Sequence, residues 1–71
     1  MTHNFREEIT LLRNATCYDF YNQDDLVVAI CEISHKNGSK SFFVKDYREG
    51  KECNRVMKSE KAARDFIEKN F

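Results

Sequence analysis

The sequence predicts an α+β domain in which an antiparallel sheet of three or four strands carries one C-terminal helix on one face. Two runs rich in β-branched and aromatic residues, 26–34 and 41–47, flank Asn37 and Gly38, a strong short-range signal for a β-hairpin. Apolar residues at helical spacing follow Ser59 near the C-terminus. At 71 residues, we expect one domain spanning 1–71.

The register of the central hairpin depends on its turn. If Asn37 and Gly38 are the two loop residues of a type I′ turn, the opposed pairs are Ile33 with Phe42, Cys31 with Val44, and Ala29 with Asp46. Because side chains alternate along a strand, the predicted core face carries Val27, Ala29, Cys31, Ile33, Phe42 and Val44. The other face is mixed and carries Val28, Ile30, Glu32, Phe43, Lys45 and Tyr47.

The segments on either side of this hairpin leave alternatives open. A turn at 48–51 leads to a third strand near residues 52–57, whose register stays undecided because a one-residue slip exchanges its faces. Residues 4–13 fit either a helix, from the spacing of Phe5, Ile9 and Leu12, or a strand. The extended form is favoured, with residues 15–21 also extended and a turn at 22–25.

The C-terminal segment predicts an amphipathic helix. Ser59 is a good N-cap, and Ala63, Phe66 and Ile67 recur on one side of the helix that it begins. We expect this apolar stripe to cover the core face of the sheet, with Phe71 extending the contact.

Composition and motifs argue against catalysis. The N-terminal residues show no signal-peptide pattern, and no apolar run approaches the roughly 18–20 residues of a membrane span. The cysteine count is odd, so we expect a cytoplasmic protein with reduced thiols. Cys31 is predicted to point into the core, while Cys17 and Cys53 have no visible partner. No residues have metal-ligand spacing and no Gly-rich loop is present, so we expect no enzyme, cofactor, metal or small-molecule substrate.

The mixed face of the hairpin is the candidate contact surface. Aromatic and aliphatic groups beside cations are typical of binding hot spots. The predicted partner-binding residues are Phe43, Lys45, Tyr47, Arg48 and Arg55. These observations favour a small non-enzymatic interaction protein, an adaptor or inhibitor that binds a protein partner stoichiometrically or forms a homodimer.

Uneven charge supports a nucleic-acid alternative. Net charge is zero, yet residues 1–35 hold two basic and six acidic residues, whereas residues 36–58 hold seven basic and three acidic ones. The alternative site is the basic hairpin strip of Lys36, Lys40, Lys45, Arg48, Lys51 and Arg55.

Two nucleic-acid-binding families share part of the predicted topology. Three strands followed by a helix opening with Ser59, Glu60, Lys61 and Ala62 resemble the DNA-binding domain at the N-terminus of tyrosine recombinases. If residues 4–13 form a helix, the order also resembles the double-stranded RNA-binding domain. The shared motifs are short, Glu60 interrupts the basic cluster of the RNA-binding family, and topology alone does not define function.

Overall fold

The fold is a five-stranded antiparallel sheet with one helix on one side, seen in a computed structural model that describes residues 5–48 and 53–71. Its elements are β1 (Arg6–Leu11), β2 (Ala15–Asn22), β3 (Asp25–Ser34), β4 (Lys40–Asp46), β5 (Cys53–Met57) and α1 (Glu60–Asn70). Strands adjacent in sequence are adjacent in the sheet, in the order β1-β2-β3-β4-β5. The predicted α+β class is confirmed, but the sheet has five strands in place of three or four.

The extra strands come from the N-terminal third of the chain. Residues 4–13 were compatible with a helix, and that alternative is wrong because residues 6–11 pair with β2 along their whole length. Leu12 donates its N–H to the Ala15 carbonyl at 2.8 Å, which closes a tight turn between the two strands. Gln23 then turns the chain into β3 with a positive φ of 59°, a conformation that few non-glycine residues adopt.

The turn between β3 and β4 corrects the predicted register. The Gly38 N–H bonds the His35 carbonyl at 3.0 Å, and Gly38 itself has a φ of +89°. A type I turn followed by a left-handed glycine makes a three-residue loop, one residue longer than the predicted type I′ turn. Ile33 consequently faces Ser41 instead of Phe42, and the β3 side chains from Val28 to Ile33 exchange faces relative to the prediction. Val27 keeps its predicted place against the core, because the β2–β3 register shifts beside it.

The core therefore uses the other set of β3 residues. Fully buried residues from the sheet and the helix form one cluster, which consists of Phe20, Val28, Ile30, Val44, Ala63 and Ile67. Cys31 and Ile33, predicted to lie in the core, turn away from the helix, whereas Val28 and Ile30 pack beneath it. The predicted core positions of β4 are unaffected by the slip, because only the β3 side of the pairing moves.

The helix confirms its sequence signals. The Ser59 side chain accepts a hydrogen bond from the Ala62 N–H at 3.1 Å and caps α1. Ala63 and Ile67 are buried against the sheet, and Phe71 packs at the edge of the same cluster.

The register of β5, left open by the sequence, is fixed by its pairing with β4. Arg55 lies opposite Val44 and Met57 opposite Phe42, which puts both on the helix side and puts Val56 on the other side. The predicted turn lies outside the described residues at positions 49–51. Within residues 5–48 and 53–71, no helix is both long and apolar enough to cross a membrane.

Candidate interaction surfaces

One face of the sheet has no second layer among the described residues, and it is called the open face below. It lies opposite α1 and includes Cys17, Asp19, Ala29, Cys31, Ile33, Phe43, Lys45, Tyr47, Asn54 and Val56. Its central row crosses four strands through Cys17, Cys31, Phe43 and Val56. Val56 is 73% exposed, while Phe43 and Ile33 are half-buried by their lateral neighbours.

The open face brings together three of the five predicted contact residues. Phe43, Lys45 and Tyr47 follow one another at alternate positions, and the Lys45 ammonium lies 5.1 Å from the centroid of the Tyr47 ring. Phe43 and Lys45 also border a shallow depression of about 250 Å³ together with Ile33 and Asn54. A partner would therefore meet an apolar surface with a cation at its border.

The two predicted arginines lie elsewhere. Arg48 Nη2 bonds Asp46 Oδ2 at 2.8 Å, and its guanidinium carbon lies 3.9 Å from the centroid of the Phe71 ring. Arg55 faces the helix, with its guanidinium carbon 4.9 Å from the centroid of Phe66. Both cations pack against the C-terminal end of the helix, at Phe66 and the C-cap Phe71, so they do not extend the open face as the sequence predicted.

The basic hairpin strip is divided in the same way. Lys45 lies on the open face and Arg55 on the helix side, although the prediction placed them together. Lys40 forms a 2.8 Å ion pair with Glu32, which raises the Lys40 pKa. Lys51 lies outside the described residues. The described cations of this segment therefore do not form one continuous surface for a phosphate backbone.

The sequence did not single out the outer edge of β1 as a surface. Large apolar side chains are exposed there at Ile9 (60%), Leu11 (76%) and Leu12 (59%), and these three residues are called the β1 edge patch below. The helix contacts β3, β4 and β5, so it does not extend over β1. Exposed neighbouring apolar residues of this size are characteristic of binding surfaces or aggregation-prone ones. Their surplus was visible in the sequence, but their exposure depends on how far α1 reaches.

A groove runs between β1 and α1 beside this patch. A depression of about 310 Å³ is lined by Phe20 and Ile67 and bordered by Glu7, Arg64 and Glu68. The Arg64 guanidinium donates two hydrogen bonds to the Glu7 carboxylate, at 3.1 and 3.0 Å. These bonds, the first among several contributions, raise the Arg64 pKa. An ion pair thus joins the helix to the edge strand at the border of the groove.

Two cysteines meet on the open face. Cys17 lies directly opposite Cys31, and their Sγ atoms are 3.3 Å apart within hydrogen-bonding range. The prediction of a core Cys31 is wrong because of the β3–β4 register, and the sequence showed no partner for Cys17. The pairing of Cys17 with Cys31 depends on a bulge between Phe20 and Tyr21, which shifts the β2–β3 register and has no signal in the sequence.

The acidic and metal-ligating side chains of the described residues are mostly paired or scattered. Among residues 5–48 and 53–71, no three His, Cys, Asp or Glu side chains are grouped closely enough to hold a metal ion. Carboxylates such as Asp46, Glu7 and Glu32 are paired with cations. No protein-family model, curated protein or solved structure matches this chain.

Proposed function

We propose that this protein is a small non-enzymatic adaptor or inhibitor that binds a protein partner stoichiometrically, and that the partner adds an extended strand to the outer edge of β1. The observation that carries the proposal is the β1 edge patch. Ile9 and Leu11 are exposed on a strand that pairs on one side only among the described residues, and the exposed Leu12 follows it directly. Strand addition at a sheet edge is a recurring mode of peptide recognition.

The backbone of β1 presents hydrogen-bonding groups to such a strand. Leu12 and Ala15 exchange hydrogen bonds in both directions, at 2.8 and 3.5 Å. Antiparallel pairs alternate between bonded and non-bonded sites, so the even-numbered residues of β1 bond to β2. The N–H and C=O groups of Glu7, Ile9 and Leu11 therefore point away from the sheet, toward the position of an added strand.

Side chains beside this edge supply the specificity. Ile9 and Leu11 are on the helix side of the sheet, since they lie opposite Tyr18 and Thr16, and they share this side with Glu7 at the border of the groove. A partner strand with apolar side chains at alternate positions would place them along this patch and into the groove. The expected partner is consequently a protein with an extended amphipathic segment.

The open face is the competing surface for the same function. Its apolar central row supports a contact through Phe43, Lys45 and Tyr47, as the sequence predicts. Its apolar side chains are mostly half-buried, however, whereas all three of the β1 edge patch are largely exposed. No observation favours the nucleic-acid alternative, because the described basic residues are divided between two faces.

Capture from a cell lysate with matched variants tests the proposal. The tagged protein is compared with Leu11→Glu on the patch and Val56→Glu on the open face, with and without nuclease, and read by mass spectrometry. Leu11 and Val56 are exposed to similar extents, 76% and 73%, on opposite edge strands, so both substitutions should leave the fold intact. Ile9→Pro adds a test of the backbone, since it removes an outward N–H without breaking the β1–β2 ladder.

We expect one protein to be captured regardless of nuclease, retained by Val56→Glu and lost from Leu11→Glu and Ile9→Pro. Its affinity for the purified variants should follow the same order. Loss with Val56→Glu alone would transfer the site to the open face and refute strand addition at β1. A nuclease-sensitive mixture of proteins would support nucleic-acid binding and contradict the proposed function.

A further inference from the structure

Cys17 and Cys31 have a geometry that suits a covalent bond between β2 and β3. Ser34 donates its N–H to the Asn14 carbonyl directly opposite, at 2.8 Å, which marks a hydrogen-bonded pair. Pairs alternate along the ladder, so Cys17 and Cys31, three positions further on, form a non-hydrogen-bonded pair with a Cα separation of about 4.5 Å. Disulfides bridge Cα atoms about 4.4–6.8 Å apart, so no movement of the strands is needed.

We propose that Cys17 and Cys31 are a reversible oxidation site, at which a small-molecule disulfide such as glutathione disulfide converts the two thiols into one intrachain disulfide on the open face. The Sγ atoms, 3.3 Å apart, must approach to about 2.05 Å, a change that side-chain rotation can supply. The proposal depends on the cysteine geometry alone and is independent of whether β1 binds a partner.

The environment assigns a role to each sulfur. Burial, followed by the hydrogen bond and charge of Cys17 and the charge of Asp19, raises the pKa of Cys31 to about 12, while Lys45 acts in the opposite direction. Cys31 therefore stays protonated at neutral pH, within hydrogen-bonding distance of the Cys17 sulfur. The thiolate is the attacking species in thiol–disulfide exchange, so Cys17 attacks first and Cys31 resolves the mixed disulfide.

The reaction is balanced in two exchanges. The Cys17 thiolate attacks one sulfur of glutathione disulfide, forms a mixed disulfide and releases one glutathione thiolate. Cys31 then loses its proton to solvent, attacks the Cys17 sulfur and releases the second glutathione. Overall, two protein thiols are oxidised by two electrons to one disulfide, and one glutathione disulfide is reduced to two glutathione molecules. Excess reduced glutathione or dithiothreitol reverses both steps.

The test uses the full chain carrying Cys53→Ser, which leaves only the two thiols in question. The folded protein is incubated with glutathione disulfide, quenched with acid, alkylated with N-ethylmaleimide and measured as an intact mass and as peptides. The expected product is monomeric, lacks two hydrogen atoms, carries no alkyl group and yields a Cys17–Cys31 linked peptide. The same reaction is run in urea, where the strands are separated. The equilibrium for disulfide formation in the unfolded chain is the reference for the folded protein.

Single variants in the same background test the order of attack. Cys31→Ser should accumulate the glutathione adduct on Cys17, and Cys17→Ser should form its adduct on Cys31 roughly tenfold more slowly, because a high pKa lowers the thiolate fraction more than it raises nucleophilicity.

Three outcomes would overturn the proposal. The first is a glutathione adduct that persists on both cysteines, and the second is a disulfide-linked dimer. The third is an intrachain disulfide that forms no more favourably in the folded protein than in urea. Each of these would show that the fold does not direct this reaction. Equal adduct rates in the two variants would refute the assigned order of attack.

Discussion

Replacing Ile30 with Ala tests the register that decides which residues reach the surface. Ile30 is fully buried between the sheet and α1, and the change removes three carbon atoms, worth about 2.4 kcal/mol at about 0.8 kcal/mol for each buried group. The cavity left behind adds to this, so we expect a loss of about 3–4 kcal/mol. A 71-residue domain has a free energy of unfolding of roughly 4–11 kcal/mol, so the variant should lose a large part of its stability.

Ile33→Ala is the matched control, because it makes the same chemical change on the same strand but on the open face. Ile33 is only half-buried, and we expect its truncation to cost about 1 kcal/mol. Urea denaturation followed by circular dichroism measures the free energy of unfolding of both variants. The comparison is valid when the dependence of this free energy on urea concentration has the same slope as in the parent protein. In thermal unfolding the losses correspond to roughly 12–30 °C for Ile30 and about 4–8 °C for Ile33. A larger loss for Ile33→Ala than for Ile30→Ala would restore the two-residue turn and refute the register.

Three further changes test separate parts of the fold. Ser59→Ala removes the N-cap of α1 and should cost about 1 kcal/mol in thermal denaturation, whereas an unchanged midpoint would show that the cap contributes nothing. Arg64→Met, combined with Glu7→Gln in a double-mutant cycle, should reveal a coupling of about 0.5–1 kcal/mol that salt reduces, because both side chains are about one-third exposed; zero coupling would contradict the helix–strand link. The pKa of Cys31 is raised from 9.0 to about 12, so its contribution to stability is complete below pH 9 and is lost as pH rises toward 12, where the unfolded chain deprotonates first. Cys31→Ala should flatten this decline in unfolding experiments across that range, leaving the part due to the raised pKa values of Tyr18, Lys40 and Lys61. An identical decline in both proteins would exclude Cys31 as a cause.

The sequence predicted best those elements whose signals are local. Ser59 caps α1 because a serine before an apolar periodic run satisfies a helix N–H wherever the helix packs. Ala63 and Ile67 reach the core because helical spacing alone puts them on one side. The two N-terminal strands were favoured but not certain, because Phe5, Ile9 and Leu12 fit helical spacing as well as they fit a strand.

The pairing register of β3 with β4 could not be predicted from local sequence signals. Asn37 and Gly38 suit both a two-residue and a three-residue loop, and the choice depends on Asn37 Oδ1 accepting hydrogen bonds from the N–H and hydroxyl of Ser39 at 3.0 and 2.7 Å. That single residue of difference moved Cys31 from the predicted core to the open face and placed Ile30 in the core. The candidate contact residues of β4 stayed on the surface because the pairing shift affects only the strand before the turn.

The β1 edge patch would be of little value to the isolated fold, and this gives a final prediction. The first half of β1 carries the charged residues Arg6, Glu7 and Glu8. Charged side chains on an edge strand disfavour its uncontrolled pairing with another chain. The second half and the residue after it are apolar and exposed at Leu11 and Leu12, where burial contributes little stability. Leu11→Ser with Leu12→Ser should therefore shift the free energy of unfolding by no more than about 0.5 kcal/mol for each residue while weakening capture of the partner. If the double variant unfolds in urea far earlier than the parent, these leucines support the fold itself, and strand addition at β1 loses the observation that carries it.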